Sequence, residues 1–360
     1  MLHAIIMAGG TGTRFWPAST AQRPKQLLNL VGDESMIRQT VSRLGDLVTP
    51  EQTLIVTNRR LLDTISEQLP ELPPASLVGE PCKRDTAPCI GLAALLVSKN
   101  DPDATMAVMP ADHVIRSEGR FQEAVRQAAS LVDDQPDRIV TFGIRPTYPA
   151  EIFGYIQRGA HIETHDGEAP AFVVKQFREK PDAATATQYV AEGDFYWNSG
   201  IFIWKAKTIL DALKKRQPEM LAHLEKIVEA WGTDQQEQTF EKEFTAINGI
   251  SIDYAVMEHA KNVAVIEAPY DWDDLGGWKS LERLVGTDKD NNTVVGKHLG
   301  LNTSGSIIRS EDDHLIVTLG LKNCLVVHTE NATLVANKDD EESIRQVVKE
   351  LESRGWTEYL

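Results

Sequence analysis

Cysteine is scarce in this chain: Cys82, Cys89 and Cys324 are the only three in 360 residues. An odd number without paired metal-ligand spacing argues for buried or inert thiols rather than a disulfide framework or a zinc site. Long apolar runs are also missing. None approaches the roughly 20 residues of a membrane span, and the chain enters an apolar strand at once with no cleavable leader, so the expected address is cytoplasmic and no membrane partner is expected. Positive charge is the third shortage. Against 53 acidic residues stand 37 Lys and Arg, a net charge of -16, which argues against a broad nucleic-acid-binding surface. An anionic substrate must then be held by a few local cations and a metal. Finally, no Ser/His/Asp or Cys/His grouping is recognisable, as expected of a reaction that needs no protein nucleophile.

What the chain does have is ordinary globular composition, 42% hydrophobic and 25% charged, and a distinctive opening. Residues 4 to 8 form a short apolar run suited to a strand buried on both faces, and Gly9, Gly10 and Gly12 then let the backbone turn and lay N–H groups against phosphate. Arg14 follows as a planar fork and Lys25 as a point charge on a flexible stem, both able to neutralise that phosphate. A tight strand-to-loop turn is the plain alternative. Two familiar glycine motifs fail here: Phe15 stands where a dinucleotide fold needs its third glycine, and no Gly-Lys-Ser/Thr closes a Walker loop.

Downstream, Met36, Ile37, Thr40, Val41, Leu44, Leu47 and Val48 recur at helical spacing, and residues 53 to 57 read as a strand. A second amphipathic run from Leu61 to Leu69, strands near 76–78, 104–109 and 139–143, and a helical face from Phe121 to Val132 continue the alternation. The pattern predicts an α/β fold, Rossmann-like and doubly wound on a mostly parallel mixed sheet. From Tyr148 to Phe177, period-two alternation predicts antiparallel strands added as a separate lobe.

Several polar residues stand out. Asp85 precedes the apolar stretch through Leu96 and reads as a helix N-cap. Asp112 ends a central strand, in the crevice where such sheets bind ligands, as metal ligand or loop cap. His113 is unresolved beside it. On residue types alone, Glu179 and Lys180 read as a solvated pair, Asn198-Ser199-Gly200 as a turn, and Ser251 or Asp253 as a helix cap. Asp271, Asp273 and Asp274 place three carboxylates in four positions, which repel one another unless a cation or solvent relieves them.

The motifs taken together are more specific than any one. Gly-Gly-x-Gly-x-Arg at 9–14, Trp16-Pro17 and Pro24-Lys25-Gln26 closely resemble the opening of the nucleoside-diphosphate-sugar pyrophosphorylases, in the form found in mannose-1-phosphate guanylyltransferases. Glu80-Pro81 through Asp85-Thr86-Ala87-Pro88, Pro110-Ala111-Asp112-His113, Phe177-x-Glu179-Lys180-Pro181, Asn198-Ser199-Gly200 and Trp272-x-Asp274-Leu275-Gly276-x-Trp278 follow in the family's order, over roughly residues 2 to 285. Lys83-Arg84-Asp85 departs from the Gly-Arg-Asn common in relatives, which leaves the base contacts open.

The resemblance implies nucleotide contacts by Ala8, Gly9, Gly10, Gly12, Thr13, Glu80, Arg84, Thr86 and Asp112. Glu80 would accept from guanine N1–H and N2–H2, and Arg84 touches phosphate or braces its loop. It implies sugar-phosphate contacts by Gly154, Tyr155, Glu179, Lys180, Asn198 and Asp253, the added lobe then being sugar-binding. Arg14, Lys25, Asp112 and Asp274 would carry the catalysis, with Mg²⁺ on Asp112 and Asp274 and Asp273 outside them. The implied reaction joins GTP and mannose 1-phosphate into GDP-mannose and pyrophosphate. A transferase for another hexose or base, and a nucleotide-sugar sensor without turnover, stay open, as does a homodimer.

After Asp288 the composition shifts to short alternating strands with frequent turns, closed by a helix through Ile344, Val347, Val348 and Leu351. By the resemblance this is a small β-helix-like appendix. The expected division is a nucleotidyltransferase domain over 1–287, with a nucleotide half to about 145 and a sugar-phosphate half from about 146, and an appendix over 288–360.

Overall fold

The apolar run at the start becomes strand β1 (Leu2–Ala8), where Ala4, Ile5 and Ile6 are wholly shielded, as a strand with both faces covered requires. This computed structural model describes residues 1–10 and 12–360, and Thr11 of the opening motif lies outside the described residues. In chain order follow β2 (Thr53–Asn58), β3 (Leu77–Glu80), β4 (Thr105–Pro110), β5 (Ile139–Ile144), β6 (Tyr155–Ile162), β7 (Ala171–Arg178), β8 (Phe195–Lys205) and β9 (Val263–Glu267). They form one nine-stranded sheet in the order β3-β2-β1-β4-β8-β5-β9-β7-β6.

The β3-β2-β1-β4 portion is parallel throughout. Beyond it, β8 runs antiparallel to both β4 and β5, β9 is parallel to β5, and β6 and β7 form the antiparallel pair expected of the added lobe. The sheet is thus mixed, parallel over its first four strands and antiparallel around β8 and in the β6–β7 pair. Helix Thr86–Asn100 packs with Ala206–Arg216 and Pro218–Glu229 over one core, and helix Glu118–Asp134 buries Phe121, Val125 and Ala128 against β4, β5 and β8. One spacing misleads: the helix begun at Met36 ends at Ser42, because Gly45 takes a left-handed φ of +50° and a single 3-10 turn, Gly45–Leu47, follows.

Contacts divide the chain into two units that do not follow linear order. One comprises residues 1–9, 42–110 and 115–272, and holds the large sheet; the other comprises 10–41, 111–114 and 273–360. In the second unit the appendix forms strands β10 (Thr293–Val295), β11 (Lys297–Leu301), β12 (Ile307–Ser310), β13 (Leu315–Leu319), β14 (Cys324–His328) and β15 (Thr333–Asn337). Parallel pairing of β10 with β12, β12 with β14 and β11 with β13 gives the coils of a short β-helix. Ile307, Leu325, Val327, Leu334 and Ile344 share a core with Phe15, Trp16, Leu28 and Trp278. Buried Arg309 ties this appendix to the opening loop, donating to the carbonyls of Leu30 at 3.2 Å and Asn29 at 2.7 Å. Leu299, Leu301, Leu315, Val317 and Leu319 stay exposed on its other face. All three cysteines are free, and no helix among the described residues is long and apolar enough to cross a membrane.

Candidate active site

The second unit gathers the phosphate-side residues. Gly12 has φ +60°, a conformation that side chains resist, and a Cβ there would overlap the Lys25 side chain and lie 2.9 Å from Lys25 N. Its carbonyl accepts from Phe15 N at 2.9 Å, which starts the 3-10 turn Thr13–Phe15 and aims Arg14. Arg14 donates through Nη1 to Gly276 O at 3.2 Å, and its Nε lies 3.3 Å from a Glu342 carboxylate oxygen.

Lys25 is 6% exposed, and its ammonium donates to Asp112 Oδ2 at 2.8 Å and to the backbone oxygen of Asp274 at 2.6 Å. With Gly12, Thr13 and Arg14, these residues line a cleft of about 290 Å³. The two carboxylates respond to it differently. Burial pushes Asp112 up, but the Lys25 charge, the nearby His113 and the Lys25 hydrogen bond outweigh burial and hold it below the usual carboxylate range. Asp274 is pushed up to about 6, first by burial and then by Asp273 and Asp112, against the pull of Lys25. A carboxyl group held above its ordinary range by burial, and further by neighbouring carboxylates, gains a counter-charge when a cation binds, so the donor set fits a hard metal ion that shares its coordination with phosphate and water.

Asp273 is already committed, since its Oδ2 takes both Arg283 Nε at 2.9 Å and Nη2 at 2.8 Å, and its Oδ1 takes Leu275 N at 2.8 Å. Asp271 is exposed and belongs to the first unit. Of the three aspartates at 271–274, Asp274 alone lines the cleft.

The first unit carries the other expected residues in two groups. Glu80 ends β3, is 7% exposed, and its Oε1 is buried with no hydrogen-bond partner. Burial pushes its pKa up to about 8. Gly9 faces it, with 4.0 Å between Glu80 Oε2 and the place a Cβ would take. Ala8 is buried at the end of β1 and accepts from Thr57 Oγ1 at 3.0 Å. The next loop is braced from within: Arg84 donates through Nη2 to Thr245 O at 2.5 Å, Asp85 caps its helix by accepting from Thr86 N at 2.8 Å, and Thr86 Oγ1 accepts from Ile252 N at 2.8 Å. Arg84 thus makes a loop-bracing contact, and its phosphate reading stays open.

In the second group, a Cβ on Gly154 would lie 2.6 Å from Glu179 Oε2 and 3.5 Å from Asn198 Cβ, so a side chain there would push that carboxylate from its place. Glu179 is paired with Lys180, whose φ of +42° turns it back over its neighbour. Asn198 N donates to Gly154 O at 2.8 Å, and its side-chain amide reaches Asp253 Oδ1 at 3.3 Å. Asp253 is raised to about 7, by burial and then by the Glu179 charge, with Lys180 pulling the other way. Its helix, Ile252–Ala255, is capped by Ser251. The Tyr155 side chain lies in an aromatic cluster with Phe153, Phe195 and Trp197, leaving only its backbone beside Gly154. The residues that sequence reasoning missed are Glu342 and Arg345 on the appendix, which carry no motif signal.

This arrangement, a Gly-rich turn after a parallel strand with convergent cations and carboxylates, defines a class that transfers nucleotidyl groups. The protein-family model described as Nucleotidyl transferase matches residues 3–291, and that of the MannoseP isomerase/GMP-like beta-helix domain matches 296–351. A mannose-1-phosphate guanylyltransferase of Escherichia coli K12 is 37% identical over 99% of this chain and 75% of its own length. The mannose-1-phosphate guanylyltransferase ManC of Salmonella typhimurium is 38% identical, over 99% of this chain and 75% of its own. A crystal structure from Thermus thermophilus, described as a mannose-1-phosphate geranyltransferase, superposes with a TM-score of 0.84 at 31% identity, covering 98% of this chain and 99% of that one. The chain belongs to the mannose-1-phosphate guanylyltransferase family of nucleotidyl transferases. Enzymes of this class generally use a divalent metal ion.

Proposed function

We infer that the chain transfers guanylyl from GTP to mannose 1-phosphate, forming GDP-mannose and releasing pyrophosphate. The observation that carries this reading is the cleft in which Gly12, Arg14 and Lys25 meet Asp112 and Asp274. An oxygen of the sugar phosphate forms a bond to the nucleotide α-phosphorus, while the bond to the bridging oxygen breaks and pyrophosphate leaves in line. That oxygen is already ionised near neutral pH, so no general base is needed, and catalysis is positioning and charge neutralisation. The turn at Gly9, Gly10 and Gly12, with Thr13, holds the phosphates by backbone N–H groups, and Arg14 and Lys25 neutralise their charge.

Asp112 and Asp274 would hold the metal, for which Mg²⁺ suits two carboxylates shared with phosphate and water; when bound, it offsets charge on the reacting phosphates. Displacing Lys25 from Asp112 frees the ammonium for substrate. Glu80, buried with an unpartnered oxygen, is suited to the two adjacent donors of guanine. Glu179, Asn198 and Asp253 present acceptors and an amide to sugar hydroxyls, and Lys180 presents its cation to the sugar's phosphate.

Assaying pyrophosphate release over four nucleoside triphosphates and several hexose 1-phosphates tests the assignment. GTP with mannose 1-phosphate is expected to give the highest kcat/KM. A maximum at another pair overturns the specificity, and binding without turnover on any pair makes the chain a sensor.

A further inference from the structure

The cleft that holds Arg14 and Lys25 has a further cation, Arg345, from the C-terminal helix Ile344–Ser353. Its placement is built into the core. Ile344 is 2% exposed in a cluster with Phe15, Leu275 and Trp278. One turn earlier the buried carboxylate of Glu341 accepts from Lys279 N at 2.9 Å, and a Cβ on Gly277 would overlap that carboxylate. The second glycine of Leu275-Gly276-Gly277-Trp278 therefore admits the anchor of the C-terminal helix beside Asp274.

Pinned at Glu341 and Ile344, the segment presents Glu342 and Arg345 to the cleft. Glu342 Oε1 lies 3.3 Å from Arg14 Nε, and Glu342 Oε2 lies 3.7 Å from Arg345 Nη1. The Glu342 side chain is 70% exposed and that of Arg345 48%, so these pairs are weak and exchangeable. A polyphosphate brings more negative charge to Arg14 than one carboxylate does, and guanidinium groups match phosphate in a two-pronged geometry.

We propose that Arg345 is a further phosphate-binding residue of the transfer reaction, gripping the pyrophosphate portion of the nucleotide, with Glu342 as the counter-ion that occupies both arginines until phosphate displaces it. This rests on the cleft being the phosphate site.

The test uses the full chain as wild type, Arg345→Ala, Arg345→Lys and Glu342→Gln, with kinetics in both directions and calorimetry of inorganic pyrophosphate in the presence of Mg²⁺. Arg345→Ala should raise KM for GTP and for pyrophosphate about tenfold or more, the size of a lost charge-assisted hydrogen bond, and leave KM for mannose 1-phosphate unchanged. Arg345→Lys should recover part of the loss. Glu342→Gln should tighten pyrophosphate binding severalfold at unchanged melting temperature. Unchanged pyrophosphate affinity in Arg345→Ala, an equal rise in KM for the sugar phosphate, or weaker binding in Glu342→Gln overturns the proposal. Pyrophosphate calorimetry remains readable if the wild type fails to turn GTP over, so the two readings fail separately.

Discussion

Replacing Glu80 by glutamine offers a test with two independent readouts. With a pKa of about 8, roughly nine-tenths of this carboxyl group is protonated at pH 7. Only the carboxylate can accept from both guanine donors, so binding the base must expel the proton, at a cost of about 1.4 kcal/mol at pH 7. Nucleotide affinity should therefore rise about tenfold between pH 6 and pH 7 and flatten above pH 8. Calorimetry of GTP binding without acceptor, run in buffers of different ionisation enthalpy, should show close to one more proton released at pH 7 by the wild type than by Glu80→Gln. The difference cancels the protons contributed by the triphosphate and by the other carboxylates. The stability of the free protein runs the opposite way. A carboxyl group raised from its ordinary 4.5 to about 8 makes the folded state bind more protons than the unfolded one, so stability falls as pH rises through that window. The ceiling is about 5 kcal/mol, and the glutamine variant should lack this slope. Equal proton release by the two proteins, or an undiminished preference of the variant for GTP over ATP, would place guanine recognition elsewhere.

Lys180→Ala should raise KM for mannose 1-phosphate more than KM for GTP; equal losses in steady-state assays would refute that assignment. Asp112→Asn and Asp274→Asn should each lower turnover by roughly two orders of magnitude, yet they should part in melting experiments. Asn at 112 leaves the buried Lys25 ammonium without its carboxylate and should cost about 3 kcal/mol, whereas Asn at 274 removes a carboxyl group already raised to about 6 and should leave the metal-free melting temperature unchanged or higher. Matching stability changes in the two variants would contradict the charge arrangement. Deleting residues 288–360 strips the core around Phe15, Trp16 and Trp278 and should yield an unstable or inactive protein; a soluble, fully active truncation of unchanged oligomeric state would show the appendix to be dispensable.

The parallel half of the sheet was legible because its strands are apolar on both faces and its helices keep regular spacing. The equal periodicity that ran on to Val48 misled, since one left-handed glycine ends the helix where hydrophobicity does not. Asp112 was singled out by its place after β4; crowding marked only the cluster of Asp271, Asp273 and Asp274, and the family resemblance was needed to select Asp274 within it. What stayed hidden were long-range pairings with no local signature. Residue types alone treat Asp112 and Asp274 alike, whereas Lys25 outweighs burial at Asp112 and burial, helped by neighbouring carboxylates, outweighs Lys25 at Asp274. Arg345 reads as one more exposed helix cation until Glu341 is seen to fix where its helix starts.

The interleaving of the second unit bears on how the protein is made. Residues 10–41 leave the ribosome early, but most of the core that covers Phe15, Trp16 and Leu28 comes from 273–360. At roughly 5–20 residues per second the wait is on the order of ten to fifty seconds. Throughout it the aromatic loop has only its near neighbours, such as Leu30 and Met36, to pack against, so much of its apolar surface stays uncovered in the nascent chain. The loop that opens the sequence is thus among the last parts of the protein to reach its final form.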